Sequence, residues 1–224
     1  IGSFLSVFFT IFVMLYTLNT DQQNREVDKK PIIIPDNTIF SNLVLIDGYP
    51  DSFDDIKNSP FIEIYNLGQT GVFDIHGTVR ILDIKSGYNS FTCKNGEIEF
   101  TYKFTSSGGT DVEKKLQFNT NLDLPPQEKT ILSAGSNLRL KLPKEISFFT
   151  CILSKHQHLN YLANNPKNFS IILEINLIFR DYKGGENNCK FQAQLSTHEY
   201  IVNHPISHSN HTTYSINGQI LIRK

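Results

Sequence analysis

Four of the chain's seven histidines, His198, His204, His208 and His211, stand in one polar stretch, STHEYIVNHPISHSNHTTY. Imidazole nitrogens take zinc or copper, so a metal-dependent binder or enzyme built on the His198–His211 loop is one reading of this stretch. Against it, Pro205 separates His204 from His208, so no single helical turn aligns them. Glu199 is the one carboxylate placed to complete a site. Solvated loop histidines are the plainer reading, and neither a metal nor a cofactor is expected. His156 and His158 flank Gln157; a spacing of two aims both rings the same way on a strand, whereas on a helix they diverge. The cysteines Cys93, Cys151 and Cys189 are too few for a disulfide scaffold and lack zinc spacing. Cys151 sits in the apolar run ISFFTCIL and reads as a buried thiol. Cys93 and Cys189, each beside a turn, are the pair to choose if any disulfide forms.

Other chemistry is thinner still. No Gly-x-Ser-x-Gly elbow, Cys-His signature or lysine-activated serine occurs. Gly68-Gln69-Thr70-Gly71 is too short for a phosphate loop and lacks its Gly-Lys-Ser/Thr ending. Glu97 and Glu99 alternate on the solvent side of a strand, which suits solubility better than acid–base work. Asp51, Asp54 and Asp55 lack the ligand order and the glycine of a calcium loop. Asn168-Phe169-Ser170 and Asn210-His211-Thr212 match the glycosylation acceptor pattern, which matters only in a eukaryotic secretory pathway. No catalytic residue is therefore expected.

The elements that must position these groups are mostly strands. Phe61 to Ile84 reads as a strand, a polar turn at Asn66–Gly71 and a longer strand, together a central hairpin. At Ile81-Leu82 its apolar phase slips by one residue, which predicts a β-bulge. Asn95-Gly96 marks another hairpin, followed by the alternating strand Glu97–Phe104. Weaker strands are expected over Lys115–Leu122 and within Thr130–Leu142. Pro143–Asn165 prefers helix, with a first half that has equal claim to be strand. Ser170–Arg180 is the best strand, Gly184-Gly185 turns the chain back through Cys189–Leu195, and Tyr214–Arg223 closes the sheet. Seven to nine strands, one helix and no βαβ rhythm predict a mainly β fold, a two-sheet antiparallel sandwich of immunoglobulin-like type.

The chain has 224 residues and opens on Ile1 rather than Met, and is read as a fragment or a processed product. Ile1 to Leu18 carries no charge, and the first charged residue is Asp21. That run is near the minimum for a bilayer span and longer than a signal core, so residues 1–20 are expected to form a transmembrane anchor. A cleaved signal peptide and a buried helix are the competing readings. Residues 21–60 follow as a polar stalk and a proline-interrupted lead-in that adds an edge strand, and 61–224 form the sandwich. With 21 basic and 22 acidic residues scattered along the chain, the net charge of -1 excludes a general nucleic-acid binder.

Two motifs carry a resemblance. Asn66-Leu67-Gly68-Gln69-Thr70-Gly71-Val72 and Phe179-Arg180-Asp181-Tyr182-Lys183-Gly184 resemble turns of uncharacterised bacterial membrane-anchored proteins. Those proteins carry Asn-x-Gly-Gln-Thr-Pro-Ala and Tyr-x-Asp-x-x-Gly and have an extracytoplasmic immunoglobulin-like β-sandwich. Gly71-Val72 replaces Pro-Ala here, and Phe179 replaces the tyrosine. The resemblance covers roughly Phe61 to Leu195 and implies an architecture without an activity. The function expected is that of a single-pass membrane protein with a non-enzymatic sandwich. Its domain lies outside the cytoplasm and binds a protein partner or supports an envelope assembly. A structural surface or virion protein is the third reading, from the abundance of Asn, Ile, Lys and Phe.

Overall fold

The computed structural model describes residues 11–22, 30–46, 56–85, 91–94, 96–105, 111–127, 131–162, 168–203 and 212–223. The chain is mainly β, and every strand pairing among the described residues is antiparallel. The largest sheet runs β10 (Ile131–Leu132), β5 (Val72–Lys85), β12 (Ser170–Arg180), β13 (Glu186–Asn203), β14 (Thr213–Arg223), β2 (Thr38–Ile46) and β3 (Ile56–Lys57). The short strand β9 (Asn121–Asp123) also pairs with β5. A second sheet is β1 (Ile33–Asp36), β4 (Phe61–Asn66) and β11 (Asn137–Lys141), and a third is β6 (Phe91–Lys94), β7 (Glu97–Thr105) and β8 (Asp111–Asn119).

Period-two alternation puts one apolar face of each sheet inward. On β12, Ile171, Leu173, Ile175 and Leu177 are fully buried; on β4, Ile62 and Ile64 are; on β14, Ile216 and Ile220 are. Between the sheets lies the helix α2 (Lys144–Leu162). Its first half is buried on every side, from Ile146 through Ser154. It packs on β13 and β2 of the large sheet. From β8 of the third sheet, Phe118 meets Phe148 at 5.6 Å and Phe149 at 4.7 Å between ring centroids. Full burial of such a ring contributes about 2–3 kcal/mol. Two polar members of this half satisfy themselves: Thr150 donates to the Ile146 carbonyl at 2.7 Å and Ser154 to that of Thr150 at 2.6 Å. The stretch with equal claim to strand is therefore helix, because Pro143 sets its start and a largely apolar surface suits a filling between layers.

The bulge is where the apolar phase slips. Ile172 faces Asp83 while Leu173 faces Ile81, which leaves Leu82 as the extra residue. The central hairpin, by contrast, does not form: β4 pairs with β1 and β11, whereas β5 belongs to the large sheet. The cause is Asn66, a fully buried amide at the end of β4. Its side-chain carbonyl accepts from Gly68 N–H (3.1 Å) and Ile32 N–H (3.3 Å), and its amide donates to the carbonyls of Thr70 (2.7 Å) and Leu132 (3.3 Å). The turn is thus a junction of three chain segments, and it hands the chain from one sheet to another. A Cβ on Gly68 would collide with the backbone of Lys30 and lie 2.6 Å from Ile32 N, so that position requires glycine.

The lead-in also does more than expected. Residues 33–46 supply β1 at the edge of its sheet and β2 between β14 and β3, with Phe40, Leu43 and Leu45 buried. The prolines that suggested an edge, Pro31 and Pro35, stop short of β2. Residues 11–22 form a helix, α1, on which Ile11, Phe12, Val13, Met14, Leu15, Tyr16 and Leu18 are all exposed. Among the described residues no helix is both long and apolar enough to cross a membrane. The first half of the expected span, residues 1–10, lies outside them.

Candidate functional site

The second half of α2 is polar, and it faces the far half of β13 across a cleft of about 380 Å³. The helix supplies Ser154, Gln157, His158, Tyr161 and Leu162, the strand supplies Thr197, His198, Glu199 and Tyr200, and Asn168 closes the side. A second bulge shapes the strand's wall. Thr197 faces Gly218 and Glu199 faces Asn217, leaving His198 as the extra residue. The inward phase therefore shifts from Ala193 and Leu195 to Tyr200, and consecutive side chains line the cleft.

Hydrogen bonds between side chains cross the floor. Ser154 bonds Thr197 at 3.1 Å, Thr197 bonds Gln157 at 3.4 Å, and Gln157 donates to the Asn168 carbonyl oxygen at 3.3 Å. The Asn217 amide donates to Glu199 on the neighbouring strand. His158 stacks on Tyr200 with centroids 4.9 Å apart, and Tyr200 lies 5.5 Å from Tyr214. Lys155 reaches over the Tyr214 ring at 5.8 Å, and burial lowers its ammonium to about 8. His156 turns the other way, edge-on to Phe100 at 6.4 Å. Burial, and then the neighbouring Lys155 charge, hold its imidazole below the ordinary histidine value.

These placements sort the residues singled out in the sequence. His158 and His198 meet in one cleft with Glu199, while His156 and His158 diverge as helical neighbours do. No group of three His, Cys, Asp or Glu side chains among the described residues is set to hold a metal ion. His204, His208, His211, Asn210, Asp51, Asp54 and Asp55 lie outside the described residues. Cys151 is a buried free thiol whose ionisation burial opposes. Cys189 is also free, with its sulfur 3.7 Å from the Ile33 carbonyl, and the side chain of Cys93 lies outside the described ones. Glu99 pairs with Lys115 at 2.8 Å across two strands, as a solubility residue does. Both resembling motifs are architectural. Asn66 ties backbone, and Asp181 accepts from Lys183 N–H and Gly185 N–H, each at 2.9 Å, around Gly184 at φ +79°. Sequence reasoning passed over Ser154, Gln157, Tyr161 and Thr197. The one signal for them was the phase slip at His198, which marks a bulge beside a site.

The arrangement can bind. It offers amides, hydroxyls, a carboxylate, imidazoles and phenols around a partly apolar hollow, a mixture suited to a small polar ligand or a polar side chain of a partner. No family model matches this chain, and neither a curated protein nor a solved structure does.

Proposed function

We propose that this chain is a single-pass membrane-anchored protein whose domain is an immunoglobulin-like β-sandwich opened to admit a core helix. The domain works as a non-enzymatic binding module. The observation that carries the reading is α1, where seven large apolar side chains lie exposed with no layer of the described residues over them. Its threonine hydroxyls need no water: Thr17 donates to the Val13 carbonyl and Thr20 to that of Tyr16, each at 2.8 Å. Such a helix suits hydrocarbon, where every polar group must be satisfied internally. The resemblance of the Asn66 turn supports an extracytoplasmic domain. The cleft between α2 and β13 is the surface best suited to recognition, and its self-bonded side chains favour holding a ligand or partner over reacting with one.

Extraction at alkaline pH tests the anchor. The full chain produced in cells should stay with the membrane pellet, and Phe12→Arg with Leu15→Arg should release it. Release of the unaltered chain overturns the reading.

A further inference from the structure

Three turns and the chain's entry meet at one end of the β domain. Leu67 N–H donates to the Ile32 carbonyl at 2.8 Å, and the Asn66 amide reaches the Leu132 carbonyl. Ile131 and Leu132 pair with Phe73 and Val72 at the start of β5. Phe73 in turn faces Arg180, which brings the Asp181–Gly185 turn to the same end. Each of these pieces shows an apolar or amphipathic side chain to solvent: Ile32 is 52% exposed, Leu67 61%, Ile131 61% and Tyr182 47%. Elsewhere the exposed apolar residues Ile39, Leu82 and Leu221 lie on strands, and Tyr161 and Leu162 lie side by side at the cleft end of α2. Here they crown rigid turns, because the buried Asn66 amide ties three of the four pieces.

The occupant is argued from the chain itself. From Gln22 at the end of α1 to Lys30 at the edge of this end, the chain reaches at most roughly 28 Å. If α1 belongs to a membrane anchor, this end of the domain is the one held near the bilayer. Its chemistry fits the interface. Lys183 lies over the Tyr182 ring at 5.7 Å, a pairing of amphipathic ring and long ammonium side chain found where one end is apolar and the other wet. Two further charges are answered within the protein: Arg180 pairs with Asp74 at 3.6 Å, and Asp181 is taken up by its own turn. The contact proposed is therefore chiefly apolar.

We infer that Ile32, Leu67, Ile131 and Tyr182 seat this end of the domain in the phospholipid interface. The inference rests on the anchor proposed above. Contact is apolar, and it fixes the domain's orientation with the cleft turned away from the bilayer: from Glu186 to His198, β13 carries the chain roughly 40 Å along the sheet.

The chain contains no tryptophan, so an introduced one reports on a single place. The full chain carrying Leu67→Trp, and separately Ile201→Trp at the opposite end, is reconstituted into phosphatidylcholine vesicles with and without acyl-brominated lipid. The Leu67→Trp protein should float with the vesicles, emit at blue-shifted wavelength and lose most of its emission to brominated lipid, at low and high salt alike. The Ile201→Trp protein should float yet emit as in water and stay unquenched. Water-like, unquenched emission from the Leu67→Trp protein in floating vesicles overturns the inference and leaves the anchor standing. Blue-shifted emission that bromine does not quench assigns this end to a protein partner or a second copy, and also overturns it. Failure to float overturns the anchor, and this inference with it.

Discussion

The two ends of the β domain are held by different kinds of hydrogen bond. At the entry end, one buried amide binds four backbone groups, so the segments around Asn66 share a single geometry. At the cleft end, Ser154, Thr197, Gln157 and Asn168 bind one another through side chains. A bond from side chain to backbone fixes where the chain goes. A bond between side chains can exchange for a bond to a ligand without moving the chain. The first end is built to stay as it is, and the second to accept something.

Substitutions can break that contrast. The largest effect is expected from Asn66→Ala, which strands buried N–H and carbonyl groups at about 1–3 kcal/mol each, for a loss of about 4 kcal/mol in urea unfolding. Gln157→Ala, made at the cleft, should cost less than about 1 kcal/mol in the same measurement, because its partners are open to water. Equal losses from the two would remove the distinction.

Acidity gives an intermediate effect, confined to the helix that lines the cleft. His156 holds its proton less tightly in the folded chain than in the unfolded one, so the unfolded state binds more protons below the ordinary value of 6.5. Stability should fall as pH drops through that value, and urea midpoints of the His156→Phe protein should lose this acid-side dependence. Lys155, held at about 8 against an ordinary 10.5, works in the same direction at higher pH. Between those two values stability should rise with pH; Lys155→Met should flatten that rise and also weaken the acid-side fall, since the Lys155 charge adds to the His156 shift. The smallest effect is expected at Ser147, whose hydroxyl is fully buried in the apolar half of α2 with no hydrogen-bond partner among the described residues. Ser147→Ala should be neutral or stabilising by up to about 1 kcal/mol, read as an unchanged or raised thermal midpoint.

Much of the fold could be read from the residues because strand alternation and bulges are local. The slip at Ile81-Leu82 is visible in the order of side chains and appears at Leu82 in the sheet. The strands flanking Asn95-Gly96 and Gly184-Gly185 pair as expected; what failed was the pairing across the Asn66–Gly71 turn. Hairpin signals describe the turn, but Asn66 binds Leu132 and Ile32, which nothing in the local pattern announces. The two-sheet expectation missed the burial of α2 for a related reason. An apolar run that is buried on all sides has no periodicity to separate helix from strand. The cleft was hidden more deeply, since its walls come from α2 and β13 and only His158, His198 and Glu199 stood out by type.

The place of β2 has a consequence for how the molecule is made. This strand lies between β14 and β3, and the Asn42 N–H accepted by the Asn217 side chain spans 175 residues of chain. During synthesis Asn42 of β2 emerges 175 residues before its partner Asn217 on β14. Until then its edge, with Phe40, Leu43 and Leu45, has nothing to close against. Such long-range pairing slows folding and exposes sticky intermediates. A ribosome that stalls before residue 213 would leave the largest sheet open at its N-terminal strand, and that nascent chain would be a natural client for a chaperone.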